Sequence, residues 1–211
     1  MNLSVEFVPQ LSVCIPVGES RWVGETLASL EAQEFPHQLV TYEDAARRGA
    51  GWARNRCLEH ATGEWILKLD ADDLLTEGLL QQLWNARRTD TIVCPEAAQF
   101  FDETGPLHRW SYDGIAAAEV LTRIESPASS AGCLLYHRSL GVFPEDCGAY
   151  ESWAFVCGHA MRGISVLPAS GTEYLHRLHA GSYWDRSAPT RREELHRAML
   201  HVNEVYAEAY A

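Results

Sequence analysis

Short apolar runs alternate with amphipathic stretches along the first half of this chain. Leu11 to Val17 is an apolar run halted by proline and then Gly18, as for a buried strand entering a loop. Val23, Leu27 and Leu30 follow on one face of a helix. Gln38 to Tyr42 reads as a second strand ending at Glu43-Asp44. Ala50 to His60 reads as a helix with Ala53, Cys57 and Ala61 on one stripe, stopped by Gly63. A third strand runs from Trp65 into Asp70, and a helix opened by Thr76 carries Leu79, Leu80, Leu83 and Trp84. Strand–helix alternation of this kind predicts an α/β fold with a mainly parallel sheet flanked by helices.

The second half is less regular and predicts a small antiparallel element. Thr91 to Cys94 and Ala97 to Phe101 read as strands, with Asp102-Glu103-Thr104-Gly105 as a hairpin turn before His108-Arg109-Trp110. Ala116 to Ile124 has helical character, Gly132 to His137 strand character, and Tyr150 to Arg162 is a helix ended by Gly163. Ile164 to Leu167 is a further strand. The last helix begins at Thr190 with Glu193 as a capping box, and Leu195, Met199, Val202 and Tyr206 form its apolar stripe. That stripe suits either packing on the sheet or a homodimer.

With 211 residues and no linker or repeat, the chain reads as one domain, 1–211, with a first half to residue 95 and a second from 96. An apolar fraction of 46% excludes general disorder. The 17 basic against 29 acidic side chains leave a net charge of −12, which disfavours nucleic acid or anionic lipid as partner. Six scattered cysteines without a Cys-x-x-Cys pair read as reduced, buried thiols of a cytoplasmic protein. No signal peptide or membrane-spanning segment is expected.

Candidate chemistry concentrates where the third strand ends. Asp70, Asp72 and Asp73 place three carboxylates within four positions, and strand alternation aims Asp70 and Asp72 the same way. Such charges repel unless a cation sits between them, and oxygen ligands without sulfur suit Mg²⁺ or Mn²⁺, ions that also hold substrate phosphates. In open α/β sheets ligands bind outside the carboxyl ends of the strands. A metal–phosphate site is therefore the first expectation. A calcium-binding EF-hand loop fails at Leu74, Leu75 and Gln81. A phosphatase of the Asp-x-Asp type shares this strand end but lacks here a downstream lysine and acidic pair.

Four segments taken together extend that reading. Ser12 to Val17 is followed by the Thr26-Leu27-Ala28-Ser29-Leu30 helix and Gln33. Gly51-Trp52-Ala53-Arg54-Asn55 is followed by Ala61-Thr62-Gly63-Glu64-Trp65. Leu69-Asp70-Ala71-Asp72-Asp73 comes third, and His176-Arg177-Leu178-His179-Ala180-Gly181-Ser182 fourth. In this order and spacing they resemble the family 2 glycosyltransferases of the GT-A fold, over nearly the whole chain and most strongly from Leu11 to Trp84. The resemblance implies a metal-dependent transfer of a sugar from a nucleotide-diphosphate sugar, UDP-hexose by family frequency, to an acceptor hydroxyl, with inversion. The acceptor would be a glycan, a protein or a small molecule. Asp70 and Asp72 match the family's Asp-x-Asp, and they with His179 would hold Mn²⁺ or Mg²⁺. Asp73 would lie close to the donor sugar. Pro16, Val17 and Glu19 match the nucleotide loop, while Arg54 and Ala71 fall on the donor side.

Two departures from the family pattern are visible. The Glu-Asp-Trp that usually opens the late helix is Glu151-Ser152-Trp153 here, so a serine stands where the catalytic base belongs. Glu151 is the first substitute and Asp146 the second. The Asp-rich loop after the second strand is missing, which leaves Glu43 or Asp44 to meet the nucleotide base. Trp153, Trp184 and Ser182 are expected on the acceptor side. A non-catalytic, nucleotide-sugar-binding or partner-binding descendant and a different metal-dependent sugar-phosphate enzyme are the competing readings.

Overall fold

The computed structural model describes residues 9–18, 21–111 and 132–210. The expected helix at 116–124 and Glu19 lie outside these. One sheet runs through the described residues in the order β2-β1-β3-β7-β5-β8-β4, with β6 paired to β5. The strands are β1 (Leu11–Val17), β2 (Gln38–Glu43), β3 (Trp65–Leu69), β4 (Leu74–Leu75), β5 (Thr91–Asp102), β6 (Gly105–Ser111), β7 (Cys133–His137) and β8 (Ser165–Arg177). β1 pairs parallel with β2 and β3, β5 pairs parallel with β8, and β7 is inserted antiparallel between β3 and β5. Thus β1, β2, β3, β5 and β8 run one way, and β4, β6 and β7 the other.

The helices are α1 (Val23–Glu31), α2 (Ala50–His60), α3 (Leu79–Ala86), α4 (Glu151–Met161), α5 (Tyr183–Arg186) and α6 (Arg191–Tyr210). None is long and apolar enough to cross a membrane, among the described residues. All six cysteines are buried free thiols.

The main core follows from β3, whose five residues are all buried, packed with β1, β7, Leu79, Leu80 and Leu83. Backbones approach closely where Gly63 ends the α2–β3 connection. A Cβ there would lie 2.7 Å from the Gln10 carbonyl and the Ser12 amide, so only glycine lets β1 and β3 come together. Gln33, 4% exposed, donates to the Thr76 carbonyl (2.9 Å) and accepts from the Leu80 amide (3.2 Å), which locks α1 to α3.

Several elements differ from their predicted form. β5 is one strand rather than two and passes unbroken through position 95, so a single sheet joins both halves of the chain. Its continuity is preserved because the irregularity sits in β8, where Gly171 (φ +74°) donates to Glu96 (2.8 Å). β8 extends to Arg177 and so carries the His176-Arg177 pair within the sheet. Thr76 does not cap α3; its hydroxyl donates to the Glu173 carbonyl of β8.

A second, smaller core lies between α4 and α6, from Cys147, Tyr150, Trp153, Ala154, Cys157, Ala198 and Val202. The apolar stripe of α6 is rotated from its predicted register. Glu194, Ala198, Val202 and Val205 face inward, whereas Met199 and Tyr206 are 43% and 50% exposed. The cause is Glu194, which accepts from the Ala149 amide (2.9 Å) and the Thr190 hydroxyl (2.7 Å). The Thr190 hydroxyl is therefore joined to Glu194 rather than Glu193.

His159 on α4 is buried edge-on against Phe155, their ring centroids 4.5 Å apart. Burial, reinforced by Arg162, lowers its pKa from 6.5 to about 4. The unfolded chain takes up a proton at this residue that the folded chain refuses, so its contribution is intact above pH 6.5 and lost as pH falls toward 4. The loss amounts to about 3 kcal/mol. His159→Gln is expected to flatten this part of the profile, seen as a smaller drop in guanidinium-unfolding free energy between pH 7 and pH 4.5.

Candidate active site

The turn Asp70–Asp73 lies at the carboxyl end of β3, beside the first residue of β7. The Asp70 amide donates to the Gly132 carbonyl (2.9 Å), and the Asp73 amide to the Asp70 carbonyl (3.3 Å). Gly132 is required by contact: a Cβ there would sit 1.9 Å from Asp73 Oδ2 and 3.1 Å from Asp70 Oδ2. The three carboxylates then take three separate sets of partners.

Asp70 is held from inside the protein. Arg54 on α2 donates from Nη1 to its Oδ1 at 2.8 Å, and Lys68 on β3 places Nζ 3.4 Å from its Oδ2. The same guanidinium donates from Nε to Glu151 Oε1 at 3.0 Å, and Ser152 Oγ donates to that oxygen at 2.8 Å. Lys68, Arg54 and Glu151 are all buried. Burial pushes the Asp70 carboxyl up, but Arg54 and Lys68 outweigh it and hold it below its ordinary range. Burial lowers the Arg54 pKa, yet Asp70 and Glu151 raise it further than burial lowers it, so the guanidinium stays charged. For Lys68, burial and Arg54 prevail and the pKa falls.

Asp73 is fully buried and joins the turn to β8. Its Oδ1 accepts from the Arg177 amide (3.0 Å), and its Oδ2 meets His176 Nδ1 (3.1 Å). Burial disfavours the His176 imidazolium, but Asp73 prevails and raises its pKa to about 8. Arg177 donates from Nε to the Asp72 carbonyl (3.0 Å) and from Nη2 to Glu25 (2.6 Å), so β8 grips the turn at Asp72 and Asp73 and is itself tied to α1.

Asp72 is the carboxylate that pairs with His179, and Asp70, at 25%, is nearly as exposed as it. Asp72 Oδ2 lies 2.9 Å from His179 Nε2, and the Asp72 side chain is 27% exposed. Burial, then the charges of Asp73 and Asp70, raise the Asp72 pKa to about 6. His179 Nδ1 faces the Ala180 carbonyl at 3.2 Å, a contact that orients a metal-ligating imidazole by fixing which nitrogen is left for the ion. Two ligands about 2.1 Å from one octahedral ion lie roughly 3 Å apart when adjacent. The Asp72–His179 spacing matches that bite. No group of three or more His, Cys, Asp or Glu side chains converges as ligands among the described residues. The pair therefore fits a Mg²⁺- or Mn²⁺-type ion whose other ligands are water and phosphate.

The remaining predicted residues fall in different places. Pro16 and Val17 end β1 next to Tyr42 and Glu43 of β2, with Glu43 exposed. Asp44 spends its carboxylate on the Arg48 and Gly49 amides (3.0 and 2.9 Å), closing its own loop. Ala71 is buried within the turn. Asp146 is exposed, its carbonyl accepting from Arg197. Trp153 belongs to the α4–α6 core at 6% exposure rather than to an open surface. Trp184 is 43% exposed, edge-on to Tyr150 (5.5 Å), and Ser182 caps α5 by accepting from the Asp185 amide (3.2 Å).

Five contributors escape a reading of the sequence by itself. Lys68 has a signal, since positions two apart on a strand share a face with Asp70. His176 and Arg177 lie inside a segment whose family resemblance points to His179 alone. Asn55, next to Arg54, binds the Phe143 carbonyl (2.9 Å) and amide (2.8 Å) and so brings the loop before α4 onto α2. Gly132 has no local signal, because its constraint comes from a turn about sixty residues away.

Residues 24–141, more than half of the chain, match Glycosyl transferase family 2. Among solved structures the chain is similar to TarS (residues 1–349) from S. aureus in complex with UDP-GlcNAc, with a TM-score of 0.65 and 20% identity over 95% of this chain and 71% of that one. It is similar also to the mannosyltransferase PcManGT from Pyrobaculum calidifontis in complex with GDP-Man and Mn²⁺, with a TM-score of 0.61 and 19% identity over 97% and 70%. GalNAc-T7 with UDP, GalNAc and Mn²⁺ has a TM-score of 0.63 and 13% identity, over 82% of this chain and 44% of that one. These likenesses establish the GT-A fold. No curated protein matches the chain.

Removing one partner of a buried ion pair strands the other charge, at a cost of roughly 3–5 kcal/mol. Arg54→Met is expected to lose that much stability in chemical unfolding. Adding Glu151→Gln to it is expected to restore part of the loss, because the stranded carboxylate is then neutral. A cost under about 1 kcal/mol for Arg54→Met would show that the bridge does not hold the site together.

Proposed function

The chain belongs to glycosyl transferase family 2, and on that premise we propose that it transfers a sugar from a nucleotide-diphosphate sugar to an acceptor hydroxyl, with inversion. The observation that carries this is the partly exposed Asp72–His179 pair, spaced as two adjacent metal ligands at the carboxyl end of β3. Asp72 and His179 would hold Mn²⁺ or Mg²⁺. A divalent cation, when bound, neutralises charge developing on the departing nucleoside diphosphate.

The chain's own residues divide the remaining work. The ends of β1 and β2, with Pro16, Val17 and Glu43, form the nucleotide side. Asp70 does not compete for the ion, since both of its oxygens face internal cations, and Asp73 keeps the turn fixed to β8. Glu151 is committed to Arg54 and Ser152, so in this reading it orients Arg54 and the acceptor proton passes to Asp146. UDP-hexose remains the first donor to try, and GDP-linked sugars the second, because the similar structures were solved with both nucleotide types. A descendant that binds donor without turnover is the second reading; it is favoured by Ser152 standing, buried, at the position of the usual base.

The test is Mn²⁺-dependent hydrolysis and thermal stabilisation across UDP-, GDP- and dTDP-sugars. One donor is expected to respond, and Asp72→Ala or His179→Ala to abolish the response. Asp146→Asn is expected to lower turnover by about 10²–10⁴-fold, the range of a general base, while leaving donor binding intact. Stabilisation without turnover would support the binding-only reading. Silence with every nucleotide-sugar would sink the proposal.

A further inference from the structure

Of the 17 lysine and arginine residues in this chain, 16 are arginine and one is lysine. That lysine, Lys68, is also among the least exposed side chains, at 1%. It sits at the centre of the sheet with Nζ 3.4 Å from Asp70 Oδ2, while Arg54 takes Oδ1 of the same carboxylate and reaches on to Glu151. Lys68, Asp70, Arg54 and Glu151 therefore make a quartet of two cations and two carboxylates, neutral in total and closed to solvent on most sides. Asp72 and His179 stand beside it.

The neutrality has a consequence for the neighbouring pair. Three aspartates in four positions would by themselves attract a divalent ion strongly. Here the attraction of Asp70 is cancelled from within, and Asp73 is spent on His176 and β8. What is left for an ion is one carboxylate and one imidazole, a weak set unless phosphate oxygens complete it. We propose that Lys68 is a positioning residue. It fixes Asp70 against Arg54, keeps the quartet neutral, and so makes divalent-cation binding at Asp72 and His179 depend on the nucleoside diphosphate. The ion then enters and leaves with the nucleotide. This rests on the transferase reading above.

The experiment is Mn²⁺ binding to the full chain, read as loss of the free-ion EPR signal, without nucleotide and with UDP or GDP. Wild type is expected to bind at least ten-fold more tightly with the cognate nucleotide. Lys68→Met, which leaves the quartet one charge negative, is expected to tighten nucleotide-free binding about ten-fold and to shrink the nucleotide's effect, while slowing turnover. Lys68→Arg should behave as wild type. Glu151→Gln touches no ion ligand and shifts the quartet the other way, so nucleotide-free binding should weaken about ten-fold. General damage to the fold would weaken binding in both variants. A folded Lys68→Met with unchanged or weaker nucleotide-free binding overturns the inference. Should that variant not fold, an unchanged Glu151→Gln overturns it alone. Wild-type Mn²⁺ binding indifferent to both nucleotides overturns it and leaves metal-dependent transfer standing. No Mn²⁺ binding under any condition overturns the transferase reading itself.

Discussion

A guanidinium buried between two carboxylates ties this structure together. Arg54 sits on α2, Asp70 ends β3, and Glu151 begins α4, so three elements far apart in sequence must meet within hydrogen-bonding distance. Charges withdrawn from water this far are tolerated only when every member of the group is paired. The rest of the architecture serves that condition. Asn55 brings the loop before α4 onto α2, and Gly51 lets it approach, since a Cβ there would meet the Pro144 carbonyl at 2.4 Å. Glu194 holds the turn before α4 from the other side through the Ala149 amide.

The same condition divides the labour among three adjacent aspartates. Asp70 meets two cations, Arg54 and Lys68, Asp73 is consumed by β8, and Asp72 pairs with His179. Their spacing alone would make them equivalent ligands. Their partners make one an anchor for α2, one a clamp on the neighbouring strand, and one, in the function proposed above, a ligand for an ion. β8 is central to this division, because its end supplies His176 and Arg177 to the turn and leads directly to His179.

The departure at Ser152 acquires a physical reason in this setting. Its hydroxyl donates to Glu151 in a pocket that already holds one carboxylate against Arg54. A second carboxylate at that position would be buried beside the first and would repel it. The serine and the buried glutamate are therefore one arrangement, and it moves the question of the acceptor's base away from the start of α4.

Much of this fold is legible in the chain alone. Apolar alternation locates β1, β2 and β3, and Gly63 and Gly163 mark where helices stop, because these signals are local. The acidic turn and its place at a strand's end are also legible, since strand period and charge repulsion act over a few residues. Where the pattern misleads, a distant partner decides. Glu194 overrides the apolar stripe of α6 because two hydrogen bonds outweigh exposure of Met199 and Tyr206. Trp153 joins a core because α6 covers it. Sequence alone located the acidic turn and most of the strands and helices of the first half. Tertiary structure alone decided which partners each carboxylate takes, because that depends on where Arg54, Lys68 and β8 place their charges, and local sequence around Asp70 does not encode where Arg54 and β8 will lie.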